Sequence, residues 1–118
     1  MNYSLRALPA AAALAIIVAG TTTSHADEPI VGNWKTESGE TAAIGSCGGA
    51  YCITLRTGKY AGKRIGRLKG AGDSYSGTIT DPSDQKQYSG SAKVVKKSMK
   101  LRGCALKIFC RTQSWRKL

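Results

Sequence analysis

Histidine is almost absent from this chain of 118 residues, since the only one is His25. That residue lies in a predicted export signal, so the domain that follows contains none. A domain without histidine excludes Ser-His-Asp and Cys-His catalysis and metal sites built on imidazole. The glycines at 45–49 are not followed by Gly-Lys-Ser/Thr, which excludes a phosphate loop there. The sequence therefore predicts a non-enzymatic protein with no cofactor and no metal ion.

Long apolar runs are also absent. The most apolar stretch, residues 7–20, is shorter than the roughly 20 residues that a bilayer core requires. Arg6 precedes this stretch, and Ser24-His25-Ala26 form a small-x-small cleavage site. These features predict a signal peptide over residues 1–26 and a single domain over 27–118. We expect the domain to be periplasmic or secreted, with no transmembrane segment.

Acidic residues are scarce and unevenly placed. The chain has 18 Lys and Arg against 7 Asp and Glu, and loss of the signal with its Arg6 leaves 17 against 7, a net charge of +10. Residues 85–118 contain ten Lys or Arg and no acid. This balance favours an anionic partner. Two carboxylate pairs, Glu37 with Glu40 and Asp81 with Asp84, lie in predicted turns, where Asx turns and solubility explain them. An enzyme that uses carboxylates alone stays open as an alternative.

The four cysteines all lie in the predicted exported domain. Their even number and the oxidising compartment favour disulfides over a zinc site, whose ligands more often have C-x2-C spacing. Three pairings are possible, and we expect the two local ones. Cys47 and Cys52 would face each other across a four-residue hairpin, and Cys104 would pair with Cys110.

Apolar and polar residues alternate with a period of two, and short glycine-containing turns separate the segments. Short links imply antiparallel neighbours, so we expect an all-β fold, a small up-and-down β-barrel of seven or eight strands stapled by disulfides. Residues 58–73, with five glycines, are predicted to form one long mobile connection, with 64–69 as a candidate eighth strand. The other seven predicted strands are 30–36, 41–47, 51–56, 74–79, 88–95, 99–102 and 110–116.

Two tryptophans, Trp34 and Trp115, lie near opposite ends of the predicted domain. The first and last strands of a closed barrel pair, and Arg111 shares a face with Trp115 by alternation. We therefore predict a structural latch in which the Arg111 guanidinium covers the Trp34 ring. The alternative is that both tryptophans are simply core residues.

Five short motifs carry a resemblance to a family of small secreted bacterial proteins, domain of unknown function family 2147. The resemblance implies a small periplasmic antiparallel barrel without an established activity. Gln85 stands where the family pattern usually has glycine. A looser similarity to lipocalin-type barrels rests on Gly32, Trp34 and Arg111. The motifs are Ile30-Val31-Gly32-Asn33-Trp34, Cys47-Gly48-Gly49-Ala50-Tyr51-Cys52, Gly77-Thr78-Ile79-Thr80-Asp81-Pro82 with Tyr88, Leu101-Arg102-Gly103-Cys104 and Cys110-Arg111-Thr112-Gln113-Ser114-Trp115.

A basic surface is the predicted functional site. By alternation several cations face away from the core, and others occupy the turn between two strands. The expected partner is an anionic envelope polymer or an anionic lipid surface, and nucleic acid is disfavoured by export. The alternative function is a carrier of a small apolar ligand in the barrel interior. The predicted anion-binding residues are Lys93, Lys96, Lys97, Lys100, Arg102 and Lys107.

Overall fold

The computed structural model describes residues 28–106 and 108–118, and these form a closed antiparallel barrel in which each strand pairs with the next along the chain. The fold class predicted from the sequence is confirmed. The predicted signal peptide over residues 1–26 and Lys107 lie outside the described residues. No described segment is a helix with the length and apolarity needed to cross a membrane. The strands are β1 Gly32–Lys35, β2 Thr41–Ser46, β3 Tyr51–Leu55, β4 Arg64–Ala71, β5 Ser74–Thr80, β6 Gln87–Val95, β7 Ser98–Ala105 and β8 Phe109–Lys117.

Large apolar side chains fill the inside of the barrel, because alternate residues of each strand point inward. Both tryptophans are core residues, and the indole N–H of Trp34 donates to the Ile30 carbonyl at 2.9 Å. That bond removes the penalty of burying an unpaired donor. The largest fully buried side chains are Trp34, Ile30, Ile53, Leu68 and Met99.

Glycine occupies inward positions where the strands approach each other too closely for a side chain. A Cβ on Gly77 would collide with the backbone of Arg67 and Leu68, and a Cβ on Gly90 would meet the side chain of Ile79. Gly77 and Gly90 are directly opposite each other on β5 and β6. These two positions let the sheet coil tightly enough to close with eight strands.

Strand β4 corrects the prediction of a long mobile connection over residues 58–73. The candidate strand at 64–69 is a full strand that pairs with β3 and β5. Its alternation is hidden because the register shifts at Ile53 and Thr54, which allows both Ile65 and Leu68 to be buried.

Two disulfides are present, Cys47 with Cys52 and Cys104 with Cys110, with Cα separations of 5.8 and 4.0 Å. Cys47 directly follows β2, and Cys52 lies in β3. Cys104 and Cys110 are cross-strand partners of β7 and β8. Cys52 instead lies opposite Gly45, which corrects the expectation that it faces Cys47 across a four-residue loop. The turn is tighter than expected: Cys47 N–H donates to the Ala50 carbonyl at 2.8 Å, around two glycines with φ of 66° and 78°.

The barrel closes through a short contact between β1 and β8. Trp34 pairs with Lys117, and Lys35 pairs with Arg116. The predicted latch is wrong in its cation: the Lys117 ammonium lies over the Trp34 ring, whereas Arg111 is exposed and lies opposite Gly103 on β7. Arg111 shares the inward side with Trp115, as alternation predicts, but lies towards the opposite end of β8.

Candidate anion-binding surface

Acidic side chains are confined to the segments outside the strands. None of the eight described strands contains Asp or Glu. Along the outer surface of β4–β8, exposed cations are interspersed with serine and threonine hydroxyls. We call this surface the basic face and define it by its cations, Arg64, Arg67, Lys69, Lys93, Lys100 and Arg102.

Cross-strand register builds the basic face from rows of directly opposed residues. Adjacent strands lie about 4.8 Å apart, so a row that crosses five strands spans roughly 19 Å of surface. Two such rows consist entirely of exposed residues. One row is Lys69, Ser76, Ser91, Arg102 and Thr112, and the next is Ala71, Ser74, Lys93, Lys100 and Ser114.

Two like charges face each other on the basic face. Lys93 of β6 is the direct partner of Lys100 of β7, a pairing that is unfavourable for two ammonium groups. Lys100 Nζ donates to Ser114 Oγ at 2.6 Å. Lys93 Nζ lies 4.0 Å from the Asp73 carboxylate, and both side chains are more than 60% exposed, so this ion pair contributes little. A bound anion would relieve the repulsion between the two lysines.

A first shallow depression, of about 300 Å³, surrounds this lysine pair. Its polar lining consists of three cations together with hydroxyl groups and contains no acid. Such a set offers only hydrogen-bond donors with positive charge, or hydroxyls that both donate and accept. The residues that line it are Ser74, Tyr75, Ser91, Ala92, Lys93, Lys100, Arg102 and Thr112.

A second depression, of about 410 Å³, lies on β4, β5 and the start of β6. It also combines three cations with hydroxyls, and the Arg67 guanidinium is anchored by donating to the Gly48 carbonyl at 3.2 Å. Ser76 in this depression is directly opposite Ser91 in the first. The two depressions are therefore parts of one surface. The lining residues are Arg64, Gly66, Arg67, Lys69, Ser76, Gly77, Thr78, Thr80 and Gln87.

The structure brings together only part of the predicted site. Lys93, Lys100 and Arg102 lie together on the basic face. Lys96 and Lys97 form the turn between β6 and β7, where Lys96 has a left-handed φ of 58°. Lys107 lies outside the described residues. The cations of β4 were missed, although Arg67 and Lys69 flank the apolar Leu68 with strand-like alternation.

The fold also brings two acids to the edges of the basic face, although they are distant in sequence from most of its cations. Asp73, in the turn before β5, reaches Lys93. The Glu37 carboxylate, from the turn after β1, accepts the Ser114 N–H at 2.8 Å. Although residues 85–118 contain no acid, acids from earlier in the chain therefore reach two edges of the basic face, while the centre of the face keeps its positive charge.

The remaining carboxylates of the turns form local hydrogen bonds. Ser83 donates to the Asp81 carboxylate through both its hydroxyl and its N–H, and these bonds lower the pKa of Asp81. Asp84 accepts the Lys86 N–H at 2.9 Å, and Glu40 accepts the Ser38 hydroxyl at 2.9 Å. These carboxylates thus have partners within their own turns.

Residues 54–117 match the family described as "Uncharacterized protein conserved in bacteria", DUF2147. The chain belongs to this family. The match is narrower than the resemblance drawn from the sequence, which began at Ile30. It includes all of β4–β8, so the basic face of this DUF2147 protein lies entirely within the matched region. No curated protein and no solved structure matches the chain.

Proposed function

We propose that this DUF2147 protein is an exported, non-enzymatic barrel that binds an anionic component of the bacterial envelope through its basic face. The observation that carries the proposal is the joining of two depressions, each lined by three cations and by hydroxyls but by no acid, into one surface. Phosphate and carboxylate groups accept hydrogen bonds from guanidinium, ammonium and hydroxyl donors alike.

The size of the surface favours a partner with several anionic groups. Lys69 and Arg102 belong to one row and are three strands apart, which corresponds to roughly 14 Å. A single phosphate contacts only one end of such a row. A phosphate-bearing polymer or a lipid layer supplies several charges at once.

Export is supported by the covalent chemistry of the barrel. Disulfides form and persist mainly in oxidising compartments, and this chain contains two within its described residues. Residues 1–26 also favour export, because Arg6 is followed by an apolar stretch and then by a small-x-small cleavage site.

Two rival functions are less well supported. A carrier of apolar ligands needs a hollow interior, whereas Trp34, Ile53, Leu68 and Met99 fill the inside of this barrel. An enzyme that uses two carboxylates needs them to converge in one cleft, whereas both depressions are lined without any acid.

Binding of the purified protein to immobilised polyphosphate and to lipopolysaccharide tests the proposal. Screening lengths fall from about 10 Å at 0.1 M salt to about 3 Å at 1 M, so binding should weaken steeply over that range. The variant Lys93→Gln/Lys100→Gln/Arg102→Gln should bind at least about tenfold more weakly, a loss of roughly 1.4 kcal/mol.

The matched control removes the same charge from three residues that are not part of the basic face, as Arg56→Gln/Lys59→Gln/Lys86→Gln. These three residues are exposed and lie outside the strands. Equal losses in the two triple variants would mean that net charge alone drives binding, and the basic face would not be a site. Salt-independent binding would also contradict the proposal.

A further inference from the structure

The hairpin between β7 and β8 exposes three large apolar side chains at its tip. Leu106 is 81% exposed, Ile108 75% and Phe109 69%. We call these three residues the apolar tip. Single exposed apolar residues are normal on a protein surface, but a cluster at one protrusion marks an interaction site. Neither the packing of the barrel nor the basic face uses them.

The base of the apolar tip is covalently fixed. The Cys104–Cys110 disulfide joins directly opposed residues, and Ala105 is the partner of Phe109 immediately beyond it. The Ile108 N–H donates to the Ala105 carbonyl at 3.2 Å and closes the turn. A stapled hairpin presents its side chains with little loss of conformational entropy on binding.

Cations lie beside the apolar tip, at an end of the barrel that also carries Asp81 and Asp84 in the turn between β5 and β6. Strands β7 and β8 contain no acid, and their exposed cations nearest the tip are Arg102 and Arg111. Asp81 lies near enough to Arg111 for its pKa to be lowered slightly by that charge, after the larger effect of its hydrogen bonds to Ser83. An apolar protrusion beside cations is complementary to a layer with an apolar interior and anionic headgroups.

We propose that the apolar tip inserts into the interface of an anionic lipid layer while neighbouring cations contact the headgroups. This inference rests on the proposed function and names its partner as a lipid layer. Three side chains supply on the order of 400 Å² of apolar surface, about half of the roughly 800 Å² per partner that a stable protein dimer buries. A convex tip of that size suits insertion among lipids better than docking on a second copy of the chain.

Tryptophan fluorescence tests insertion directly, because both native tryptophans are shielded. Trp34 is 0% and Trp115 4% exposed, so lipid-borne quenchers should not reach them. In Phe109→Trp, vesicles that contain phosphatidylglycerol should shift the emission to shorter wavelength, and brominated acyl chains should quench it. The matched control is Val95→Trp, at a 58% exposed position where β6 ends, at the opposite end of the barrel. Its emission should not change.

Vesicle binding of a second variant measures the contribution of the apolar tip. Ile108→Ser/Phe109→Ser should lower affinity for phosphatidylglycerol vesicles by at least about tenfold, because each buried side chain of this size contributes a factor of that order. Both residues are exposed, so the melting temperature should stay unchanged. An unchanged melting temperature shows that weaker binding does not come from unfolding.

The outcomes separate the tip from the basic face. Unquenched emission from vesicle-bound Phe109→Trp protein would contradict insertion of the apolar tip, and so would binding to polyphosphate but not to vesicles. Either result would leave the proposed anion binding by the basic face in place. The opposite result is vesicle binding that is unchanged in the basic-face triple variant but lost in Ile108→Ser/Phe109→Ser. It would support insertion of the apolar tip and contradict anion binding by the basic face. Self-association that disappears in the serine variant, seen by sedimentation velocity, would assign the tip to a second copy and overturn the lipid proposal.

Discussion

The ammonium group of Lys117 lies 5.5 Å from the centroid of the Trp34 ring, across the contact between β1 and β8. The same ammonium donates to the Pro29 carbonyl at 2.9 Å, so one side chain ties the segment before β1 to β8. Because Trp34 is fully buried and packs in the core, this cation covers the place where the barrel closes.

We expect Lys117→Met to lower the free energy of unfolding by about 0.5–2 kcal/mol. Methionine keeps an apolar stem but removes the cation–π contact and the hydrogen bond to Pro29. Arg111→Ala, at an exposed position, should change stability by no more than about 0.5 kcal/mol. Urea unfolding measures both effects: the midpoint should shift while the dependence of the unfolding free energy on urea concentration stays the same. A larger effect at Arg111 than at Lys117 would reverse the assignment.

Gly77→Ala should lower the free energy of unfolding by about 1–3 kcal/mol, because the added methyl group collides with the backbone of β4. Gly45→Ala is the matched control, since a Cβ at Gly45 meets nothing within 4 Å. Thermal unfolding of both variants gives the comparison. Similar melting temperatures for the two would show that the β4–β5 approach is not tight.

Tyr75 should make stability fall at alkaline pH. Burial, and then the hydrogen bond to the Glu28 carboxylate, raise the pKa of Tyr75 to about 12. The folded-state pKa lies above the unfolded value of about 10, so this stabilisation is complete below about pH 10 and is lost as pH rises towards 12. Tyr75→Phe should show a smaller alkaline decline in unfolding free energy. Equal declines in the two proteins would contradict the assignment.

Each disulfide closes a short loop and should contribute about 2 kcal/mol to stability. Cys104→Ser/Cys110→Ser should therefore unfold at lower denaturant concentration than the parent, and reductant should have less further effect on it. A peptide map without reductant checks the pairing. Recovery of Cys47 bridged to either Cys104 or Cys110 would contradict it.

The barrel and its strands were predictable because a period of two survives wherever one face of a strand is buried. Strand β4 was predicted only as a candidate, over residues 64–69, because inward Gly66 has no side chain and because the register shift lets Ile65 and Leu68, three residues apart, both be buried. The alternation is therefore limited to Arg67–Lys69 within the strand that supplies half of the basic face.

The errors in the site have a different origin, since alternation gives the side of a strand but not its neighbours in space. Alternation placed Arg111 and Trp115 on one side of β8, but it did not show which of the residues on that side lies beside Trp34 of β1. The stagger of the closed barrel sets which residue that is. Likewise, Asp73 and Glu37 reach the basic face only through the register of strands distant in sequence.

The contact between β1 and β8 also bears on how the protein folds. Hairpins such as β7–β8 form from neighbouring residues, whereas Trp34 meets Lys117 only when nearly the whole barrel sequence has been assembled. Until then the molecule is an open sheet with two unpaired edges, and such edges recruit strands of other chains. The closing step, which depends on few residue pairs, therefore sets how long each newly made molecule is exposed to aggregation.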